Sequence, residues 1–411
     1  MAAAASAAAS AAGPAAASVA PTAAAPAAPA EAGPAAAGPA AGFRPPALPS
    51  LTGMRWGAAL LVFGLHTHNL LLVHGTSGAA ATWAFTSGAT GVSFFFILSG
   101  FVLAWTARPG ATRLPDVRRF WRRRIARIYP VHLVTALLAL LLALWLTPDG
   151  LPSAKQIAAN LLLVHTWKGD WWQTLDSVSW SLACEAFFYA VFPLLQRLVL
   201  DPLARRPRRT TALAACCAAL VAVLPWVDAH FALNWQMNSQ PLLRLPEFVL
   251  GALLALLVRG GHWRGPAPDA ALAVALLGYF GAAQLAAGSP YAYSACTVLG
   301  FALLIAAGAT ADLRGERCFW RRRALVRLGE LSFAFYMVHL LVLRAALRLP
   351  DAVTHHTAFA AAVLVTALGC AWLVERGVEL PARRLILAPP LWVTRWAQWR
   401  QRQKGWPAGS A

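Results

Sequence analysis

Charge is scarce in this chain, and acidic charge is scarcest: 16 Asp and Glu stand against 35 Lys and Arg in 411 residues. Charged residues make up 12% of the sequence, where soluble domains carry about 25%. With 59% hydrophobic residues and a mean hydropathy of +0.56, there is too little polar surface to cover a water-soluble globule. The six cysteines (184, 216, 217, 296, 318, 370) have no metal-ligand spacing and fall mostly in apolar stretches. They read as packing residues, which excludes a zinc ribbon and leaves the redox compartment open. No Gly-x-Ser-x-Gly surrounds Ser99, so an activated serine nucleophile is not expected there. Residues 1–42 are almost all Ala, Pro, Gly and Ser, and lack the basic start and compact apolar stretch of a signal peptide. That composition predicts a disordered cytoplasmic extension over 1–50.

What is present is long apolar runs. LVTALLALLLALWL (133–146) and AALAVALLGYFGAAQLAA (270–287) approach the roughly 20 residues that a bilayer-crossing helix needs. Ten candidate spans follow, near 56–74, 88–106, 128–147, 178–198, 211–228, 242–258, 269–287, 293–310, 329–348 and 357–375. The expected fold is all-α: a polytopic membrane bundle of about ten transmembrane helices over 51–386, followed by a basic cytoplasmic tail at 387–411.

The net charge of +19 does not predict nucleic-acid binding, because the arginines lie in short segments between apolar runs. With ten spans, 30 of the 35 Lys and Arg fall on the side that holds both chain ends, and 5 on the other. The positive-inside rule then places both termini in the cytoplasm and the Trp-rich loop 148–177 outside. Trp167, Trp171 and Trp172 in that loop suit interfacial anchoring or a substrate platform.

Ionisable groups within such spans are costly and point to function. Arg55 and His66 are eleven residues apart, about three helical turns, so they share a face with about 16 Å between them. Arg55 is expected at the cytoplasmic mouth and His66 near mid-membrane. His339 lies twelve residues past Arg327, at similar depth, and Ser332, Tyr336 and His339 form a polar stripe at i, i+4, i+7. Glu185 is also placed near the middle of its span. FWRRRIARIYP (120–130) sets Arg124 and Arg127 as i, i+3 neighbours, which suits either a topology signal or an anion site built on bidentate arginines.

Seven segments in order resemble the acyltransferase-3 family of bacterial membrane acyltransferases. They are the R-x10-H pair Arg55 and His66, GVSFFFILSGFVL (91–103), RRRIARIYPVH (122–132), WSLACEAFFYAVFP (180–193), RLPEFVLGALLA (244–255), LGELSFAFYMVHLLV (328–342) and VELPARRL (378–385). The resemblance implies a ten-helix core that moves acyl groups, acetyl first among them, from cytoplasmic acyl-CoA to a hydroxyl of a carbohydrate or glycolipid in the inner membrane. Arg55, His66, Arg124, Arg127, Glu185, Tyr336 and His339 fall on family motif positions. Two residues depart from the pattern: Ala186 follows Glu185 where a second acid is common, and Leu380 replaces an arginine, which weakens a role for Glu379.

O-acyl transfer needs a base for the hydroxyl proton and positive groups for developing negative charge. His66 is expected as the base, oriented by Glu185 or His339. Arg55, Arg124 and Arg127 are expected to bind the CoA phosphates, with Tyr336 and Ser332 on the substrate. No metal and no bound cofactor is expected. The expected partners are the bilayer, acyl-CoA and the carbohydrate or glycolipid acceptor. A transporter or flippase, or a non-catalytic component of glycan assembly, would use the same buried charges differently.

Overall fold

The computed structural model describes residues 45–73, 78–146, 150–233, 238–285, 290–349 and 356–388. The extension up to residue 44 and the tail beyond 388 lie outside the described residues. Among the described residues the fold has ten long helices, one short α-helix and three separate short 3-10 turns, and no strand. In chain order the helices are α1 (Pro49–Val73), α2 (Ala79–Thr106, with a 3-10 turn at Thr86–Ala89), α3 (Leu114–Leu146), the short α4 (Ala154–Leu161), α5 (Ser179–Leu203), α6 (Pro207–Phe231), α7 (Pro241–Arg259), α8 (Pro268–Leu285), α9 (Pro290–Arg314), α10 (Arg323–Ala346) and α11 (His356–Leu387).

Each of the ten expected spans falls on one of the ten long helices. Eight of these are long and apolar enough to cross a membrane by length and composition. The other two are α1, whose run is broken by Arg55, His66, His68 and Asn69, and α8, whose apolar part is the shorter Pro268–Ala282. The protein is therefore a multi-pass helical membrane protein. The span expected from 128 is part of a helix that begins fourteen residues earlier, at Leu114. Its arginines 122–124 and 127 are thus helical. Pro130 stays inside the helix, as prolines do in membrane helices whose neighbours satisfy the freed carbonyl.

Helix α2 packs on α7, α1 on α10, α6 on α7, and α8 on α9. The α2–α7 crossing is close because Gly100 and Gly251 face it. A Cβ on either would overlap the opposing backbone, at the carbonyls of Phe248 and Ile97. Phe96, Phe101, Phe188, Phe192, Phe248 and Phe335 fill the bundle interior. On α3, Leu133, Leu137, Leu138, Leu141, Leu144 and Trp145 remain exposed, an apolar stripe that matches lipid contact.

Candidate active site

Helices α1 and α10 meet face to face because Gly329 sits against the Thr52 carbonyl, where any side chain would overlap it. This approach brings His66 of α1 onto His339 of α10. Their rings stack at 5.1 Å between centroids and 14° between planes. His66 Nδ1 lies 2.8 Å from His339 Nε2. His339 Nδ1 lies 2.7 Å from the Tyr336 carbonyl oxygen.

Carbonyls only accept, so His339 Nδ1 carries the proton and donates it. In the neutral ring, His339 Nε2 then accepts, so His66 Nδ1 donates to it. The remaining nitrogen of neutral His66, Nε2, is left with a free lone pair. The chain of bonds thus fixes both tautomers and presents one basic atom. Phe63 and Phe335 pack on His339, which is fully buried, while His66 is half-buried.

Glu185 does not join this pair. The structure places it one layer away, where its carboxylate accepts a 2.6 Å hydrogen bond from Tyr189 one turn on. Arg55, Arg124 and Arg127 are its charged neighbours. Glu379, at the end of a π-helical turn in α11, faces Arg127 and Arg55 as well, despite the Leu380 departure. Arg124 stacks its guanidinium over Phe120 and Tyr189, at 5.7 and 5.9 Å. Three guanidiniums therefore face two carboxylates, an excess of positive charge that suits a polyanion. Arg327 is committed elsewhere, paired in a fork with Glu375 that ties α10 to α11.

The other two expected substrate residues are engaged within the protein. Ser332 donates to the Gly329 carbonyl of its own helix at 2.8 Å and is fully buried. The Tyr336 hydroxyl meets Ser181 Oγ at 2.8 Å and donates to the Val178 carbonyl at 3.3 Å. Ser99 lies against the Tyr189 hydroxyl.

A family profile described as an acyltransferase domain matches residues 48–376, which takes in the histidine pair, all three arginines, Glu185 and Tyr336. The chain belongs to that acyltransferase family. It is 39% identical over 369 residues to Acyltransferase MdmB of Streptomyces mycarofaciens, covering 82% of this chain and 92% of MdmB. It is 25% identical over 232 residues to the O-acetyltransferase OatA of Staphylococcus aureus, which covers 52% of this chain but only 35% of OatA. The peptidoglycan O-acetyltransferase OatA of Listeria monocytogenes is 24% identical over 166 residues, 36% of this chain and 24% of that protein. No solved structure matches.

As a membrane acyltransferase, the protein carries three site features that the sequence reading missed. Tyr189 joins Glu185 to Arg124, and its i+4 spacing from Glu185 is the signal that would have found it. Ser181, one turn before Glu185, meets the Tyr336 hydroxyl of α10. The third is a set of buried polar residues at the loop before α5: His132 bonds the Asn160 carbonyl, Asn160 bonds Ser179, which approaches His165, and Asp176 lies near Arg344 and Tyr336. In that loop, burial pushes the Asp176 carboxyl up to about 8, with the Arg344 guanidinium and the Val178 amide pulling it back. Burial and the neighbouring His132 pull His165 down to about 4. The loop tryptophans divide: Trp172 packs on the core, whereas Trp167 is 44% exposed and stands edge-on to Phe187.

Proposed function

We propose that this acyltransferase moves an acyl group, acetyl foremost, from cytoplasmic acyl-CoA to a hydroxyl of a carbohydrate or glycolipid acceptor. The observation that carries this reading is the His66–His339 pair with its single free ring nitrogen. The acceptor hydroxyl gives its proton to His66 Nε2 as its oxygen attacks the thioester carbonyl. The tetrahedral intermediate then expels the CoA thiolate, which takes the proton back from His66. While His66 is protonated, its Nδ1–H points at the His339 lone pair, so the transient positive charge is hydrogen-bonded and buried. Transfer is direct, with no acyl-enzyme. The O-acetyl transfer named for OatA supports the acetyl donor, and the arginine surplus supports a phosphate-bearing one.

Arg55, Arg124 and Arg127 bind the CoA phosphates in this reading. Arg127→Ala is expected to raise the KM for acetyl-CoA about tenfold or more, the scale of one lost charge-assisted hydrogen bond. Arg127→Lys restores only part of it, because the fork is lost. The assay is CoA release by purified protein in nanodiscs. An unchanged donor KM in Arg127→Ala removes that residue from the site. CoA release dependent on a hydroxylated acceptor also separates this reading from a flippase, which leaves acetyl-CoA intact.

In this reading the protein lies in the inner membrane with both termini in the cytoplasm, an orientation that the Lys and Arg asymmetry of the loops supports. Single cysteines introduced on a cysteine-free background test the orientation. Those within 150–178 are expected to react with an impermeant maleimide from outside, and those within 204–209 only after permeabilisation. Labelling of 204–209 in intact cells reverses the orientation.

A further inference from the structure

Attack on a thioester puts negative charge on its carbonyl oxygen, and that charge needs a donor at the reacting centre. The three arginines of the cationic layer do not supply it. They face Glu185 and Glu379, and Arg55 lies about 16 Å from His66 along α1, an interval that the pantetheine arm of a bound acyl-CoA would bridge. Among the described residues, one arginine brings its charge to His66, and it is Arg344 of α10.

Helices α1 and α10 run in the same direction, with Thr52 against Gly329, Trp56 against Phe335 and His66 against His339. Arg344 follows His339 by five residues, about 7.5 Å of helix. It therefore stands beyond the histidine pair, on the side away from Arg55. Among the described residues its one hydrogen bond goes to Ser177 Oγ, at 2.7 Å, and it closes no ion pair. The neighbouring acid, Asp176, does not neutralise it: burial pushes that carboxyl up to about 8, so it carries a proton at neutral pH. The guanidinium thus keeps its charge and most of its N–H donors. Its tether is itself fixed. Val178, next to Ser177, accepts from the Tyr336 hydroxyl, and Ser181 meets the same hydroxyl. The entry to α5 is thereby held along α10 on both sides of His339, at Tyr336 and at Arg344.

We infer that Arg344 is a further catalytic residue, whose guanidinium donates to the thioester carbonyl oxygen as it becomes an oxyanion, with Ser177 holding it in place. The inference rests on the acyl-CoA-dependent transfer proposed above and supplies the positive group that its tetrahedral intermediate needs. The acceptor oxygen bonds to the carbonyl carbon, and the carbonyl electron pair moves onto oxygen against Arg344. That pair returns as the carbon–sulfur bond breaks. The proton passes from the hydroxyl to His66 and then to the CoA thiolate. The oxyanion forms between two cations, Arg344 and protonated His66, and each is anchored by a partner of its own, Ser177 and His339.

Arg344→Gln keeps an N–H donor and removes the charge. It is expected to lower kcat and kcat/KM for acetyl-CoA together, by about 100-fold, the scale for one lost oxyanion donor. The acetyl-CoA KM keeps its wild-type value, in contrast to Arg127→Ala. Arg344→Lys restores part of the rate, because the charge returns without the fork. Arg344→Ala is expected to regain rate when guanidinium ion is added below denaturing concentrations, with no change in melting temperature. Arg348→Gln, one turn further along α10 and exposed, controls for surface charge and is expected to match wild type. The readout is CoA release per monodisperse protein in nanodiscs, with methyl β-D-glucopyranoside as acceptor probe. Hydrolysis by water serves equally, because the oxyanion forms on the thioester whichever oxygen attacks. Wild-type kcat in Arg344→Gln overturns the assignment. So does a loss confined to the glycoside KM, a loss that Arg348→Gln shares, or a folded Arg344→Ala protein that guanidinium does not rescue. A wild-type protein that consumes no acetyl-CoA overturns the proposed transfer first, and this inference with it.

Discussion

His66→Gln is expected to lower acyl transfer by about 100-fold or more per folded molecule, the usual scale for loss of a general base. Glutamine keeps an N–H that can still donate to His339 Nε2, so the α1–α10 contact survives, but it has no basic atom to take the acceptor proton. His66→Ala is expected to be as slow and to fold less well, since it also loses the stacked ring. His339→Gln is expected to lose less than His66→Gln, because His339 acts through its partner by fixing a tautomer. A purely structural histidine predicts the reverse order, with glutamine restoring turnover and alanine lowering only the yield of folded protein. Near-wild-type transfer in His66→Gln moves the base to His339. Turnover is measured as CoA release in nanodiscs, normalised to monodisperse protein.

The same geometry explains why Glu185 does not join the histidine pair. Depth in the membrane can be read from a sequence, because hydropathy and rise per residue place each side chain along the bilayer normal. Sequence spacing puts His66, His339 and Glu185 level on that axis, whereas Glu185 lies one turn along α5 from the Ser181–Tyr336 contact, among Arg55, Arg124 and Arg127. Which helix faces which around the bundle axis is set by close approaches such as Gly329 on Thr52, and no single-helix pattern encodes that pairing. Arginine reach matters too. Arg55 starts near a helix end, yet its long side chain extends to Glu185 and Glu379 and draws the acid into the cationic layer.

The ten helices were legible because long apolar runs with charged punctuation have few other solutions in a chain this poor in charge. The loop before α5 was not. Its left-handed leucines run against local preference, so propensity argues for a different backbone at Leu163 and Leu175. Its buried polar groups are spread over α3, α4 and the loop, at positions 132, 160, 165, 166 and 176, with no periodicity to announce them. Consistency between local and global signals fails there, which is where a functional element is expected.

The second large effect is on stability, at the buried ion pair of α7. Arg244 and Glu247, one turn apart, approach to 3.1 Å with 1% and 0% side-chain exposure. Arg244 also donates to Ser93 at 2.9 Å and approaches Ser294 at 3.4 Å, and its guanidinium lies over the Phe96 ring at 5.1 Å. Ser93 and Ser294 are themselves bonded at 2.7 Å, so the arginine fastens α7 to α2 and α9 together. Glu247→Ala leaves a guanidinium buried without its counter-charge. The expected cost is about 3–5 kcal/mol, as when one partner of a buried pair is removed. Glu247→Gln keeps the shape and loses the charge, and falls between. The double variant Arg244→Met/Glu247→Leu removes both charges at similar volume and is expected to regain most of that stability, since a well-packed apolar pair often replaces a buried ion pair at no net loss. Denaturant titration in mixed micelles, with transfer activity per folded molecule as a second readout, decides the matter. If the pair is a fastening between helices, the double variant is both stable and active. A stable but inactive double variant assigns the pair to the reaction path, and a Glu247→Ala protein within about 1 kcal/mol of wild type shows that the charge was never isolated from water.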